Sequence, residues 1–493
     1  MNPSDENALT WPKMADRERL EDYAHNDKLY RGDHYEAFRI KFGGDVEAGY
    51  KKLRYIVANF PGLMSRVLAD MLFGESITIT AEDKNTQEFI NNLIKDNDLI
   101  NQLYESALIN SRRGYDVFKI RIGKRNPSDP YAKPEIIIEQ IGADKYFPVF
   151  DSKNARNVVS QDIIATTFKQ GSNVYLHKEI HTPGQIINEV YLYDPDKMAV
   201  KASIPPETFG YKPVEQTGVN TSLVFGIPNY RDGNYWGPSD YRDLYSLFFA
   251  LNNRITKIDN ILDKHSDPIL AVPVGVLDEE GSVRREELGM FEVDNENPGF
   301  NKPEYITWNA NLENAFTQID KLVDFLFMFS EVAPATMGAD KNGITESGRA
   351  LKFKLLSTIR KRNRKISYYD EAIKNMLFTA TELANKWGIS AGGIKPGQAE
   401  IPKIKWGDGV INDQTEMVDM TTQRIDNGTM SRADGIAYLD DITQEQAIEK
   451  VKEIDDEAKS ELPVVSNNMN GNQANPQPPT PPNNPGPNAG QGV

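Results

Sequence analysis

Apolar residues in the second half of the chain keep helical time. Through residues 239–266 (SDYRDLYSLFFALNNRITKIDNILDKHS), Leu244, Leu247, Leu251, Ile255, Ile258 and Leu262 fall three and four residues apart, the spacing of one helix face. Residues 312–331 repeat the pattern through Leu312, Phe316, Ile319, Val323 and Leu326. Such narrow stripes suit helices lying lengthwise against neighbours rather than sunk in a globular core. The first helix is predicted to start after Gly237-Pro238, with Ser239 as N-cap and Asp240 in its first turn, and to end before Pro268. Pro334, Gly338 and Gly343 predict a break over 333–344. A third helix then runs from Thr345 to about Trp387, about 60 Å long if unbroken.

Elsewhere the periods differ. Residues 1–60 lean towards helix, and 60–75 predict a helix with Leu63, Val67 and Leu68 on one side and a stop at Gly74. ITITAE at 77–82 alternates as a strand, and a single helix is predicted over 85–113. From 115 to 235 the texture turns to short β runs (VFKIRI, EIIIEQI, VYLHKEIH, IINEVYLYD, SLVFGIPNY), with Pro183-Gly184 inside a hairpin. Between the two striped helices, ILAVPVGVL reads as a strand. Pro273 within it predicts an edge position. Residues 400–462 predict a strand (PKIKW) and two or three short helices. The Asn-, Pro- and Gly-rich stretch from 463 has too little apolar content to build a core and is expected to be disordered. The fold class is α+β.

Composition removes several kinds of chemistry. The 493 residues contain no cysteine, which excludes disulfides, thiolate nucleophiles and cysteine-based metal sites. Residues 322–329 (LVDFLFMF) form the most apolar run, too short for a bilayer and interrupted by Asp324. No P-loop, dinucleotide fingerprint or nucleophile elbow occurs. His177-Lys178-Glu179-Ile180-His181 lacks the H-E-x-x-H order and the helical context of a zinc protease, so an exposed strand face is expected there. No catalytic residue, metal site or cofactor is expected.

Several runs together resemble the portal proteins of tailed double-stranded DNA bacteriophages, of the siphophage type. They are YWGPSDYRDLYSLFFALNNRITKIDNILD, PATMGADKNGITESGRALKFKLLSTIRKRNRK, LYRGDHYEAF (29–38), LADMLFGESITI (68–79) and NGTMSRADGIAYLDDITQEQAIEKVKEIDDE (427–457). Their order and spacing carry the resemblance, which reaches to about residue 460. It implies a wing over 1–238, a stem helix at 239–266, a small β-containing clip at 267–311 and a second stem helix at 312–332. A channel loop at 333–344, a long bent wing helix at 345–387, a crown at 388–462 and a tail at 463–493 complete it. A dodecameric ring at one capsid vertex would then conduct DNA during packaging and ejection. Scaffold and major capsid proteins, the terminase and the neck or tail adaptor would be its partners, in the host cytoplasm during assembly and then in the virion. Another structural ring or minor capsid protein of the head–neck region is the alternative.

The resemblance also assigns sites. Met337, Asp340, Lys341 and Asn342 fall in the channel loop, with Lys341 the phosphate-facing candidate. Asp278, Glu279, Glu280, Arg284, Arg285, Glu286 and Glu287 fall in the clip, facing the terminase or adaptor. The basic run Arg360, Lys361, Arg362, Arg364 and Lys365 reads as a solvated helix face or an intersubunit salt-bridge strip, with DNA contact as the alternative. With no apolar residue over six positions, the helix is expected to kink or to cross a subunit boundary there. The net charge of −16 disfavours a protein that grips DNA but suits one through which DNA slides. Twelve helices about 10 Å wide, side by side, enclose a bore of roughly 28 Å, wide enough for a duplex of about 20 Å, whereas six leave about 9 Å.

Overall fold

The computed structural model describes residues 10–42, 55–126, 128–153, 159–266, 269–273, 290–293, 304–306, 312–338, 352–407, 409, 414–440 and 442–460. The chain divides into two units at 411/412.

The larger unit begins with helices α1 (Met14–Arg31), α2 (His34–Phe42) and α3 (Phe60–Phe73). Asn59 caps α3 by accepting from the Gly62 N–H (3.0 Å), and Pro61 occupies the first turn, where no intrahelical donor is needed. Leu68 is buried as expected, while Leu63 points outwards. The single helix expected over 85–113 is two, α4 (Lys84–Asp96) and α5 (Leu99–Arg113). Asp98 adopts φ +50°, which ends the helical path. Asn97 fills the gap: its side chain donates to Leu93 O and Ile136 O and accepts from the Ile138 N–H.

Strand β1 (Thr78–Thr80) pairs antiparallel with β14 (Lys403–Lys405), so two strands far apart in sequence close one edge of the unit. The sheet β10–β2–β3 comprises Val224–Pro228, Tyr115–Gly123 and Glu135–Gln140. A second antiparallel sheet runs β4 (Val149–Phe150), β5 (Val159–Gln170), β6 (Asn173–Thr182), β7 (Gln185–Asp194) and β8 (Ala199–Ile204), and β9 (Val214–Gln216) pairs with β7. Strands β6 and β7 join through Pro183-Gly184, with Gly184 at φ +90°, a conformation open to glycine. The core of the unit sets α3, α4, α5 and the sheet β10–β2–β3 against the long helix α8 (Leu356–Trp387), through Phe89, Ile90, Leu103, Phe118, Ile120, Tyr369, Ile373 and Leu377.

The two striped helices are α6 (Tyr245–Ser266) and α7 (Leu312–Ser330), and they pack against each other. Between them lies a three-stranded sheet, β12–β11–β13 (Met290–Val293, Ile269–Pro273, Glu304–Ile306). The edge position predicted for the Pro273 strand is wrong: β11 is central, parallel to β12 and antiparallel to β13. Pro273 faces Val293 of β12 within that ladder. The start of α6 also differs from expectation. Residues 240–244 form a turn, and the helix begins at Tyr245. The Ser239 hydroxyl does accept from the Tyr241 N–H (2.9 Å), but the Asp240 N–H is drawn to Ser111 O (2.8 Å). Helix α8 is continuous through 360–365, where a kink was expected; the break lies earlier, at Leu355. Its 32 residues span about 48 Å.

The smaller unit contains helices α9 (Gln414–Asp426), α10 (Arg432–Asp440) and α11 (Gln444–Ser460).

Asp116, on β2, is fully buried, with Gln140 Nε2 donating to its Oδ2 (2.5 Å). Burial raises its pKa to about 6, against the lowering effect of hydrogen bonds from Ser106 and Gln140. The folded value lies above the unfolded one near 3.8. The charge therefore costs nothing below pH 4, costs progressively more up to about pH 6, and reaches about 3 kcal/mol above it. Asp116→Asn is expected to gain thermal stability over the parent between pH 4 and 6.5 and to hold that margin at higher pH. Midpoints measured at pH 4, 5, 6 and 7.5 check this; a margin independent of pH contradicts it.

Candidate functional site

The basic run of the long helix is not a uniform face. Arg360 and Arg364 are exposed, and Arg364 pairs with Glu331. Lys361, Arg362 and Lys365 are buried, 7 %, 4 % and 3 % exposed, so a solvated-face or DNA-contact reading does not fit them. The reason is positional. Counting back from the core residues Ile373 and Tyr369 in steps of three and four reaches Lys365, then Lys361 and Arg362, then Thr358. The inward face of α8 continues through the charges.

These side chains are satisfied inside the chain. Asp240 receives both lysines, Lys361 Nζ at 3.0 Å from Oδ1 and Lys365 Nζ at 2.7 Å from Oδ2. Asn229 Nδ2 donates to Asp240 Oδ1 (3.1 Å) and to Pro238 O (3.0 Å), and Lys365 also reaches Asn229 Oδ1. Lys361 donates to Ser330 O (2.8 Å), the last residue of α7. Arg362 donates to Met71 O near the end of α3 and to Gly407 O (2.6 Å). Thr358 Oγ1 accepts from the Ala333 N–H (2.7 Å). One buried joint thus ties the entry to α6, the end of α7 and the first half of α8.

Two cations share one anion here. Burial alone would raise the Asp240 pKa, but Lys361 and Lys365 hold it far below the usual carboxylate range. Burial, helped by neighbouring Lys361, pulls Lys365 down to about 8 against the attraction of Asp240. The sequence marks Lys361 and Lys365, but not Asp240, Asn229, Ser330 or Thr358. An acid in a predicted first turn passes for a dipole partner, and only the inward register of the lysines hints that a buried counter-charge must exist.

The same principle corrects the histidine strip. His177 and His181 are buried on β6, 3 % and 1 % exposed, not on an exposed face. His177 Nε2 donates to Asn188 Oδ1 (2.9 Å) and its ring stacks on Tyr211 at 4.0 Å. Glu179 accepts from His181 Nε2 (3.2 Å) and Lys119 Nζ (2.9 Å). Against the effect of burial, these donors hold its pKa at about 2. Among the described residues, no group of three or more acidic or histidine side chains is placed to hold a metal, and no helix is long and apolar enough to cross a membrane.

Met337 ends a short 3₁₀ turn (Pro334–Met337) and packs half-buried against the core formed by Met64, Leu68, Tyr241 and Phe248. Asp340, Lys341 and Asn342 lie outside the described residues, as do Asp278, Glu279, Glu280, Arg284, Arg285, Glu286 and Glu287.

Helix α7 is apolar on two sides. Ile319, Leu322, Val323 and Leu326 turn towards the core shared with α6, whereas Phe316, Phe325, Met328 and Phe329 are exposed, Met328 by 67 %. The predicted stripe identified the inner side only, and placed Phe316 on it.

The family described as "Phage portal protein, SPP1 Gp6-like" matches residues 13–461, nearly the whole sequence. The chain belongs to this phage portal protein family. No curated protein matches it.

Asp240→Asn strands two buried lysines and is expected to cost about 3–5 kcal/mol. Adding Lys365→Met, which removes the surplus cation, should recover part of that loss. Thermal unfolding of both variants checks the order; a single variant as stable as the parent contradicts the ionic joint.

Proposed function

We propose that this chain is the subunit of a portal ring at one capsid vertex, through which double-stranded DNA is packaged and ejected. Family membership over nearly the whole chain carries the reading. The two-sided apolar helix α7 supports it. A helix apolar on the side away from its own core has a second surface to cover, and in a ring the adjacent subunit covers it. The reading makes α6 and α7 the stem, the sheet β12–β11–β13 part of the clip, and 333–344 the channel loop. Twelve subunits leave the bore of roughly 28 Å obtained from helix widths.

In this reading the clip charges Asp278 to Glu287 meet the terminase during filling and the neck adaptor afterwards, while scaffold and capsid proteins contact the outer surface. Lys341 gives a transient phosphate contact beside the neutral donor Asn342, and Asp340 keeps that contact weak. An acidic chain with few channel cations lets the duplex slide. The sequence contains no nucleotide-binding motif, so the work of translocation belongs to a separate ATPase.

Phe325→Ser combined with Phe329→Ser is expected to weaken assembly at least tenfold while leaving helix content unchanged. Sedimentation velocity with circular dichroism checks this; rings at parental yield would remove α7 from the interface. Lys341→Ala should assemble normally and alter packaging yield or DNA retention. Parental values of both, in a phage carrying the variant, count against the loop contact.

A further inference from the structure

Helix α8 is buried in two chemically different halves. From Tyr369 to Ala384 its inward residues are apolar apart from threonines, among them Ile373, Met376, Leu377 and Leu383 in the central core. From Thr358 to Lys365 they are Thr358, Lys361, Arg362 and Lys365, each held by the directional contacts described above. Apolar support for this half, among the described residues, centres on a small cluster of Ala333 and Leu355 with Ala335 and Ile359.

The segment following α7 hangs on the same half. Ser330 O bonds to Lys361, the Ala333 N–H to Thr358, and Glu331 pairs with Arg364. Glu331 has φ +57°, a left-handed conformation that a side-chain-bearing residue keeps when its surroundings enforce it.

We propose that Asp240 and Lys361 are positioning residues forming a breakable clamp. The first half of α8 and residues 330–338 open together, while the second half stays docked. Apolar packing over several turns yields only as a block, whereas this polar clamp has a single shared anion. Loss of the Asp240 charge frees Lys361 and Lys365 at once, and Lys361 is the link to the end of α7. Opening of such a local unit requires less free energy than global unfolding. Consequences for DNA rest on the portal reading, because residues 333–338 belong to the proposed channel loop; the mechanics do not.

Hydrogen–deuterium exchange on the full chain tests this. In the parent, peptides covering 330–338 and 356–366 are expected to share one opening free energy, at least tenfold less protected than 369–387, and in Asp240→Asn to exchange at least tenfold faster. Should that variant not fold, Lys361→Met keeps a one-to-one Asp240–Lys365 pair and is expected to accelerate 330–338 and 356–366 together, by less than Asp240→Asn does. Equal protection along the whole of α8 in the parent, or parental exchange at 330–338 in Lys361→Met, overturns the clamp. A protein showing the local pattern yet forming no ring supports the clamp and refutes the portal reading instead.

Discussion

The rest of this structure depends on the burial of one carboxylate. Asp240 sits between two lysines one helical turn apart on α8, and through them the entry to α6 and the end of α7 share an anchor. A buried charge is tolerable only when its partners are fixed, so this joint fixes where the approach to α6 and the end of α7 meet α8. The Asp240 N–H goes to Ser111 O, and α6 begins only at Tyr245. The backbone is equally tight nearby, since a side chain on Gly114 would strike Gly237 O.

Around the joint, apolar and polar packing divide the work. Apolar contacts lock α4, α5, the sheet β10–β2–β3 and the second half of α8 into one core, while α1, α2, α3 and the start of α6 share another. In sequence, the strands of a small sheet lie between the end of α6 and the start of α7. In the proposed ring, the subunit body is self-sufficient and the outer side of α7 is completed by a neighbour.

Much of this was legible in the sequence. Helical stripes located α6 and α7, alternation located the β runs, and Pro183-Gly184 marked the hairpin that joins β6 and β7. The errors share a cause. Pro273 in a central strand, Asn97 between two helices and Asp240 ahead of α6 each have partners distant in sequence, which local spacing cannot register. The basic run and the histidine strip failed similarly: charge suggested solvent, whereas burial followed the register of the element. Lys361 and Lys365 continue the inward face of a helix whose apolar part is obvious, and His177 and His181 sit on a face closed by Asn188, Tyr211 and Lys119. The family resemblance itself rested on the order of weak segments, and the match over residues 13–461 shows it.

The central claim is a ring with an open axis. Electron microscopy of the purified full-length protein, with class averages viewed down the symmetry axis, tests it most directly. The account predicts rings of about twelve subunits around an opening of roughly 28 Å, the width set by helices standing side by side. Monomers or small compact oligomers at high protein concentration would contradict it.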